Sequence, residues 1–237
     1  MLAPMGTYQD LRRVEIPYGC YWSTPFAKWQ GSLQHLNSIE FAAWTCKREL
    51  QRLGIPAERI SHAVLGMTNI QHHSFFSLPW LASMAWLGTV TGPTISQACA
   101  TGTRIVHAGV QEVQSGLCDV SLVIATDRTS NAAHVYYPEP TRMGGTGTHE
   151  DWLLDNFSCD PSGGNSMLQT AENCARKHGF TTQQQHEVVL MRSAQYEQAL
   201  RDDAAFHRRF MTLPFEIPSV NYRKVQGTLK GDEGYRL

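Results

Sequence analysis

Residues 120–126 (VSLVIAT) form an apolar run too short for a core helix. Such a run reads as a strand covered on both faces, the pattern of a parallel sheet packed between helices. That constraint sets the class, because parallel strands need crossover connections, usually helices. The helices are legible. Ile39, Ala42, Ala43, Cys46, Leu50 and Leu53 recur at helical spacing over about 37–53, closed by Gly54 and Pro56. Residues 62–67 (HAVLGM) and 94–98 read as strands. Pro79 opens a short apolar helix over 80–87. Residues 100–116 read as a helix that buries Ile105, Val106, Gly109, Val110 and Val113 and stops at Gly116. Residues 14–22 (VEIPYGCYW) add a first strand, whose Pro17 marks an edge or a bend. The order βαβαβαβ predicts an α/β fold: a parallel or mixed sheet with helices on both faces.

From Thr129 the texture changes. Residues 129–165 are rich in Gly, Pro, Asp, Asn and aromatics and have no sustained period, which predicts a long surface excursion. Helices return over 167–178, closed by Gly179, and from Thr182 to about Leu200, with Gln185 as the partner in a capping box. A short helix over 202–209 and a strand over 211–220 follow, and the polar residues 221–237 close no element. The expected organisation is an α/β domain over 1–128, an excursion with helices over 129–210, and a returning strand and tail over 211–237.

The formal net charge is -1, and no basic block offers a surface to nucleic acid or an anionic membrane. Six cysteines, widely spaced and without a CxxC pair, argue against zinc and against a redox dithiol. The longest apolar stretch, near 78–90, is too short and interrupted to span a bilayer. Residues 1–13 carry no apolar signal core. These readings predict a reduced, cytoplasmic protein that holds no metal.

Cys99 stands at the predicted strand-to-helix turn, among the small residues Ala98, Ala100 and Gly102. A thiol at a helix N-terminus meets the positive end of the dipole, and the thiolate is the nucleophilic form. Cys99 is therefore the candidate nucleophile, able to carry an acyl group. His107, eight residues on, would lie about 12 Å away along the helix, too far to act as its base. His134 and His149 fall in the excursion and read as surface residues, and His72-His73 lacks further ligands at metal spacing.

Five ordered segments resemble the thiolase family. Thr24-Pro25-Phe26-Ala27-Lys28-Trp29-Gln30-Gly31-Ser32-Leu33 is similar to its early TPFGKFxGSL segment, and Ser96-Gln97-Ala98-Cys99-Ala100-Thr101-Gly102 to its nucleophile segment. Gly116-Leu117-Cys118-Asp119-Val120 resembles the GxxDV ending of the next helix and strand. Met167-Leu168-Gln169-Thr170-Ala171-Glu172-Asn173 resembles MGxTAEN, and Asp232-Glu233-Gly234-Tyr235-Arg236 resembles DExxR. The sequence departs from the family at Ala100, at Thr103-Arg104-Ile105, at Ala125 to Asn131, where a glycine-rich segment is usual, and at Ser166, where a histidine is usual.

The resemblance implies a thiolase-like N-terminal α/β fold with an inserted loop domain, and an acyltransferase that works through a Cys99 acyl-enzyme. It implies coenzyme A or an acyl-CoA as substrate and partner, with no other cofactor, and a homo-oligomer, dimer or tetramer. Met167 and Ser166 fall at loop-domain positions on the coenzyme A path, and Arg236 falls near the nucleotide. The family's second half, with its GHPxG and CxGxG segments, has no counterpart here, so the expectation is an N-terminal half that needs that second half for turnover. The other reading is a non-catalytic protein that binds acyl-CoA or lipid.

Overall fold

Strand β1 (His62–Gly66) is buried along its whole length, and its side chains alternate between two faces. Ala63 and Leu65, followed by Met67, point into a core shared with helix α1 (Ser38–Leu53) and helix α2 (Ser77–Met84). Val64 points the other way and meets Ile105 and Ala108 of helix α3 (Thr101–Gln114). The computed structural model describes residues 14–130 and 132–235. They divide into two compact units, residues 14–22 with 35–128, and residues 23–34 with 129–235.

In the first unit β1 is the middle strand. Strand β2 (Thr94–Ile95) pairs with it on one side and strand β3 (Ser121–Ala125) on the other, all parallel. Val64 lies opposite Val123, and Leu65 opposite Thr94. The chain passes from β1 to β2 in one direction and from β2 to β3 in the other. Right-handed crossovers then require α2 and α3 on opposite faces, as found. The buried residues Ile39, Ala42, Ala43, Cys46 and Leu50 make one stripe of α1. Each large apolar side chain buried in this way contributes about 1.5–3 kcal/mol.

The helix ends are built as their residues dictate. Asn37 caps α1, its side chain accepting from the Ile39 and Glu40 N–H groups, and Gly54 ends the helix in the left-handed conformation. Residues 14–22 form no strand. The Cys20 N–H bonds back to the Pro17 carbonyl at 3.1 Å, with Gly19 at φ 85°, so a turn occupies the middle of the expected strand.

The second unit contains two hairpins that its composition hides. Strands β4 (His134–Tyr137) and β5 (Thr148–Asp151) pair antiparallel inside the excursion expected to be irregular. Strands β6 (Phe215–Pro218) and β7 (Val225–Leu229) pair likewise, so the tail expected to close no element supplies a strand. Between them lie helices α4 (Leu154–Ser158), α5 (Met167–His178) and α6 (Thr182–Ala199). The capping box of α6 is made by Thr181 with Gln184, one residue earlier than the Thr182–Gln185 pair expected. The helix expected over 202–209 is a kinked turn at Arg201–Ala204, with Asp202 and Asp203 both left-handed, followed by a 3-10 turn at His207–Arg209.

A clasp joins the two ends of this unit. Glu233 accepts from the Ser32 hydroxyl, from the Ser32 N–H at 3.0 Å and from the Lys28 N–H at 3.2 Å. Asp232 accepts from the Phe26 N–H at 2.8 Å, and the Glu233 N–H donates to the Phe26 carbonyl. Gly31 leaves the room, since any side chain there would strike the Glu233 carboxylate. Burial pushes the Glu233 carboxyl up. The bonds from the Ser32 hydroxyl and N–H and the Lys28 N–H, with the Lys28 charge, more than reverse this and hold it below the usual carboxylate range. A carboxyl lowered by folding stabilises the fold above its unfolded value, about 4.3, and that contribution is lost as pH falls through the lower folded value. Replacing Glu233 with Gln is expected to lower stability by about 1 kcal/mol near neutral pH, an amount discounted for partial exposure. It should also flatten the decline in acid. Urea unfolding of both forms between neutral pH and about pH 3.5 checks this, and parallel pH curves would contradict it.

Candidate active site

The loops that follow β1, β2 and β3 leave the parallel sheet at one edge, the carboxyl end where open α/β sheets gather their functional groups. Cys99 is on the loop after β2, four residues beyond Ile95, and its side chain is exposed. The strand expected over 94–98 ends at Ile95 because the chain folds into a tight turn. The Ala100 N–H donates to the Gln97 carbonyl at 3.0 Å and the Thr101 N–H to the Ala98 carbonyl at 3.1 Å. Ala98 takes φ 43°, a left-handed conformation that costs a non-glycine residue about 1–3 kcal/mol. The residue before the thiol is thus held in strain, and the thiol is presented one residue before the N-cap of α3, Ala100.

Thr101 holds the turn. Its side chain accepts from the Gln97 N–H at 2.7 Å and donates to the Ala98 carbonyl at 2.7 Å, and the residue is only 6% exposed. One hydroxyl therefore bonds to the backbone both two residues before Cys99 and one before it. Gly66 lets it sit there. A side chain on Gly66 would meet Ile105 Cδ1 at 2.8 Å and Thr101 Cγ2 at 2.9 Å, so a glycine at the end of β1 admits the first turn of α3. Gly102, by contrast, faces open space. On the neighbouring loops the Asp127 carboxylate accepts from the Thr68 N–H and hydroxyl and from the Asn69 N–H at 2.8 Å, tying the exits of β1 and β3 together.

The two buried cysteines of this unit, Cys46 and Cys118, differ in chemistry. Burial pushes the Cys46 thiol up to about 12. Burial, then Glu112 and Asp119, raises that of Cys118. Both stay protonated and act as small hydrophobes. His107 accepts from Arg104 Nη1 at 2.7 Å on the exposed side of α3, away from the turn.

Ser166 and Met167 lie in the second unit. Ser166 is the N-cap of α5, its hydroxyl accepting from the Gln169 N–H at 3.0 Å, and Met167 begins the helix with its side chain exposed. Arg236 lies outside the described residues. The structure therefore assembles a turn around Cys99 within the first unit and places Ser166 and Met167 side by side in the second. Thr101, Ala98 and Gly66 were not singled out by sequence reasoning. A hydroxyl two residues past a nucleophile, at the mouth of a helix, was the one available signal.

Parallel strands packed between helices, with their following loops at one edge of the sheet, define an α/β fold. A model of the thiolase N-terminal domain matches residues 22–236, and the chain belongs to the thiolase family. It is 25% identical over 218 residues to a mitochondrial acetyl-CoA acetyltransferase of Gibberella zeae, covering 90% of this chain and 49% of that protein. It is similar in fold to the acetyl-CoA acetyltransferase of Bacillus anthracis, with TM-score 0.74 and 22% identity over 90% of this chain and 53% of that one. The human mitochondrial 3-ketoacyl-CoA thiolase in complex with CoA matches with TM-score 0.67 and 18% identity over 90% of this chain and 52% of that one. The chain spans about half the length of the curated relatives it matches. The expected α/β fold with helices on both faces is the fold observed. No helix among the described residues is long and apolar enough to cross a membrane.

Replacing Thr101 with Val keeps the shape but leaves the Gln97 N–H without its acceptor, at an expected cost of about 1–3 kcal/mol. Thr101→Ser, which keeps the hydroxyl, should lose less than about 1 kcal/mol. Urea midpoints for the three proteins test this ranking, and equal losses for Val and Ser would refute the bridging role of the hydroxyl.

Proposed function

We propose that this chain is the nucleophile-bearing half of an acyltransferase in which Cys99 carries the acyl group. The observation that supports this best is the exposed Cys99 thiol on the strained, Thr101-tied turn after β2. The acetyl-CoA acetyltransferases among its relatives support a CoA thioester as donor. Cys99 Sγ attacks the thioester carbonyl, the bond from carbonyl carbon to the coenzyme A sulfur breaks, and the departing thiolate takes up the proton that Cys99 gave. The acyl-enzyme then passes its group to free coenzyme A or to the carbanion of a second acetyl-CoA. Met167 and Ser166 lie against the pantetheine arm in this reading, and Arg236 serves the nucleotide. No cofactor beyond the coenzyme A substrate takes part.

Turnover needs a base and donors for the oxyanion. We assign these to the part of the thiolase relatives that this chain does not span, which leaves the chain by itself able to accept an acyl group but slow to release it. Incubation of the purified chain with acetyl-CoA, followed by mass spectrometry of the Cys99 peptide, is expected to show an acetyl thioester that Cys99→Ala lacks. Steady thiolysis of acetoacetyl-CoA by the same protein should stay near the Cys99→Ala background. Rapid Cys99-dependent thiolysis would overturn the assignment of the base elsewhere. Coenzyme A binding without any acyl-Cys99 would favour a non-catalytic acyl-CoA-binding protein.

A further inference from the structure

The β4–β5 hairpin carries four side chains on one face. In its register His134 lies opposite Asp151 and Tyr136 opposite His149. Alternation along each strand brings these four to the same side. His134 Nδ1 and His149 Nε2 stand 3.0 Å apart, and the two rings are nearly parallel at 19°. Asp151 Oδ2 lies 3.8 Å behind the first ring, at His134 Nε2. Both rings are open to solvent, with the His134 side chain 59% exposed.

We propose that His134 and His149 form a two-nitrogen binding site for a borderline divalent transition cation such as nickel or zinc, with Asp151 orienting His134 from behind. Two imidazole nitrogens each about 2.0–2.1 Å from one ion are about 2.9–3.4 Å apart, depending on whether they subtend a right or a tetrahedral angle. The observed 3.0 Å falls within that bite. Imidazole donors favour nickel, copper and zinc over magnesium and calcium, which take oxygen. Asp151 biases the proton of a neutral His134 toward Nε2, which leaves Nδ1 as a lone pair. Its carboxylate is well placed to do so. The Leu153 and Leu154 N–H groups both donate to its Oδ1, at 3.1 and 2.9 Å, while Oδ2 faces the ring.

In the absence of a cation one ring donates to the other. Binding replaces that shared proton. His149 moves its proton from Nε2 to Nδ1 through solvent, a rotation about each exposed side chain turns both lone pairs onto the ion, and two neutral rings lose no proton overall. Among the described residues no third His, Cys, Asp or Glu joins them, so water completes the coordination and the ion exchanges freely. The two ligands sit on different strands, so the ion ties β4 to β5 next to their open end and stiffens the hairpin.

Titration of the full chain with nickel chloride near pH 7.5, followed by calorimetry, is expected to show one ion per chain. His134→Gln and His149→Gln should each weaken binding by at least about tenfold. Asp151→Asn should weaken it several-fold, and His72→Gln should leave it unchanged. Nickel should slow amide hydrogen exchange over 134–137 and 148–151 in the wild type and not in the two histidine variants. The exposed histidines make both variants foldable, and unchanged melting curves without nickel establish that. Absence of binding to the wild type, or equal binding by both histidine variants, would overturn the site.

Discussion

The first unit depends on the two-residue alternation of β1. Ala63, Leu65 and Met67 commit to the face of α1 and α2, while Val64 commits to α3. A shift of one residue would exchange these sets and present Gly66, the one position that admits Thr101, to the wrong helix. The register of β1 therefore fixes the depth at which α3 seats, the seating of α3 fixes Thr101, and Thr101 fixes the turn that displays Cys99. Packing and site are consecutive links of one chain of causes here, and the strain at Ala98 is sustained by the core beneath it.

Much of this was legible in residues alone because it is local. The stripe Ile39, Ala42, Ala43, Cys46, Leu50 and the stops at Gly54 and Gly179 each belong to one helix, and helices carry their own signals. Cys99 could be placed at a strand-to-helix turn for the same reason. What escaped was non-local. Val225–Leu229 reads as polar tail until Phe215–Pro218 pairs with it, and His134–Tyr137 needs Thr148–Asp151 before it is a strand. The Val14–Ile16 pattern promised a strand, but the Pro17–Gly19 turn prevailed. The role of Thr101 was hidden in another way. Its two hydrogen bonds exist only once Ala98 has taken a positive φ, which no composition announces for an alanine.

The two units use their histidines and carboxylates differently. In the first, Asp127 spends its carboxylate on backbone N–H groups of Thr68 and Asn69 and ties the loops after β1 and β3 together. In the second, Asp151 accepts from two backbone N–H groups with one oxygen and faces an imidazole with the other. The same side-chain chemistry thus ties two loops together in one place and stands beside an imidazole in another. The neighbours decide which.

The clasp between residues 26–32 and Asp232–Glu233 has a consequence for how the protein comes into being. Ser32 and Glu233 are 201 residues apart in sequence. On a ribosome that emits the chain from its N-terminus, α1, β1, α2, β2, α3 and β3 are all available before the second unit has both of its ends. Phe26, Lys28 and Ser32 must wait for Asp232 and Glu233 while the hairpins and α5 and α6 are made. Loop closure over that span is slow and costly in entropy, so the second unit is the late folder and the segment around Phe26 and Trp29 is the part most in need of shelter during synthesis.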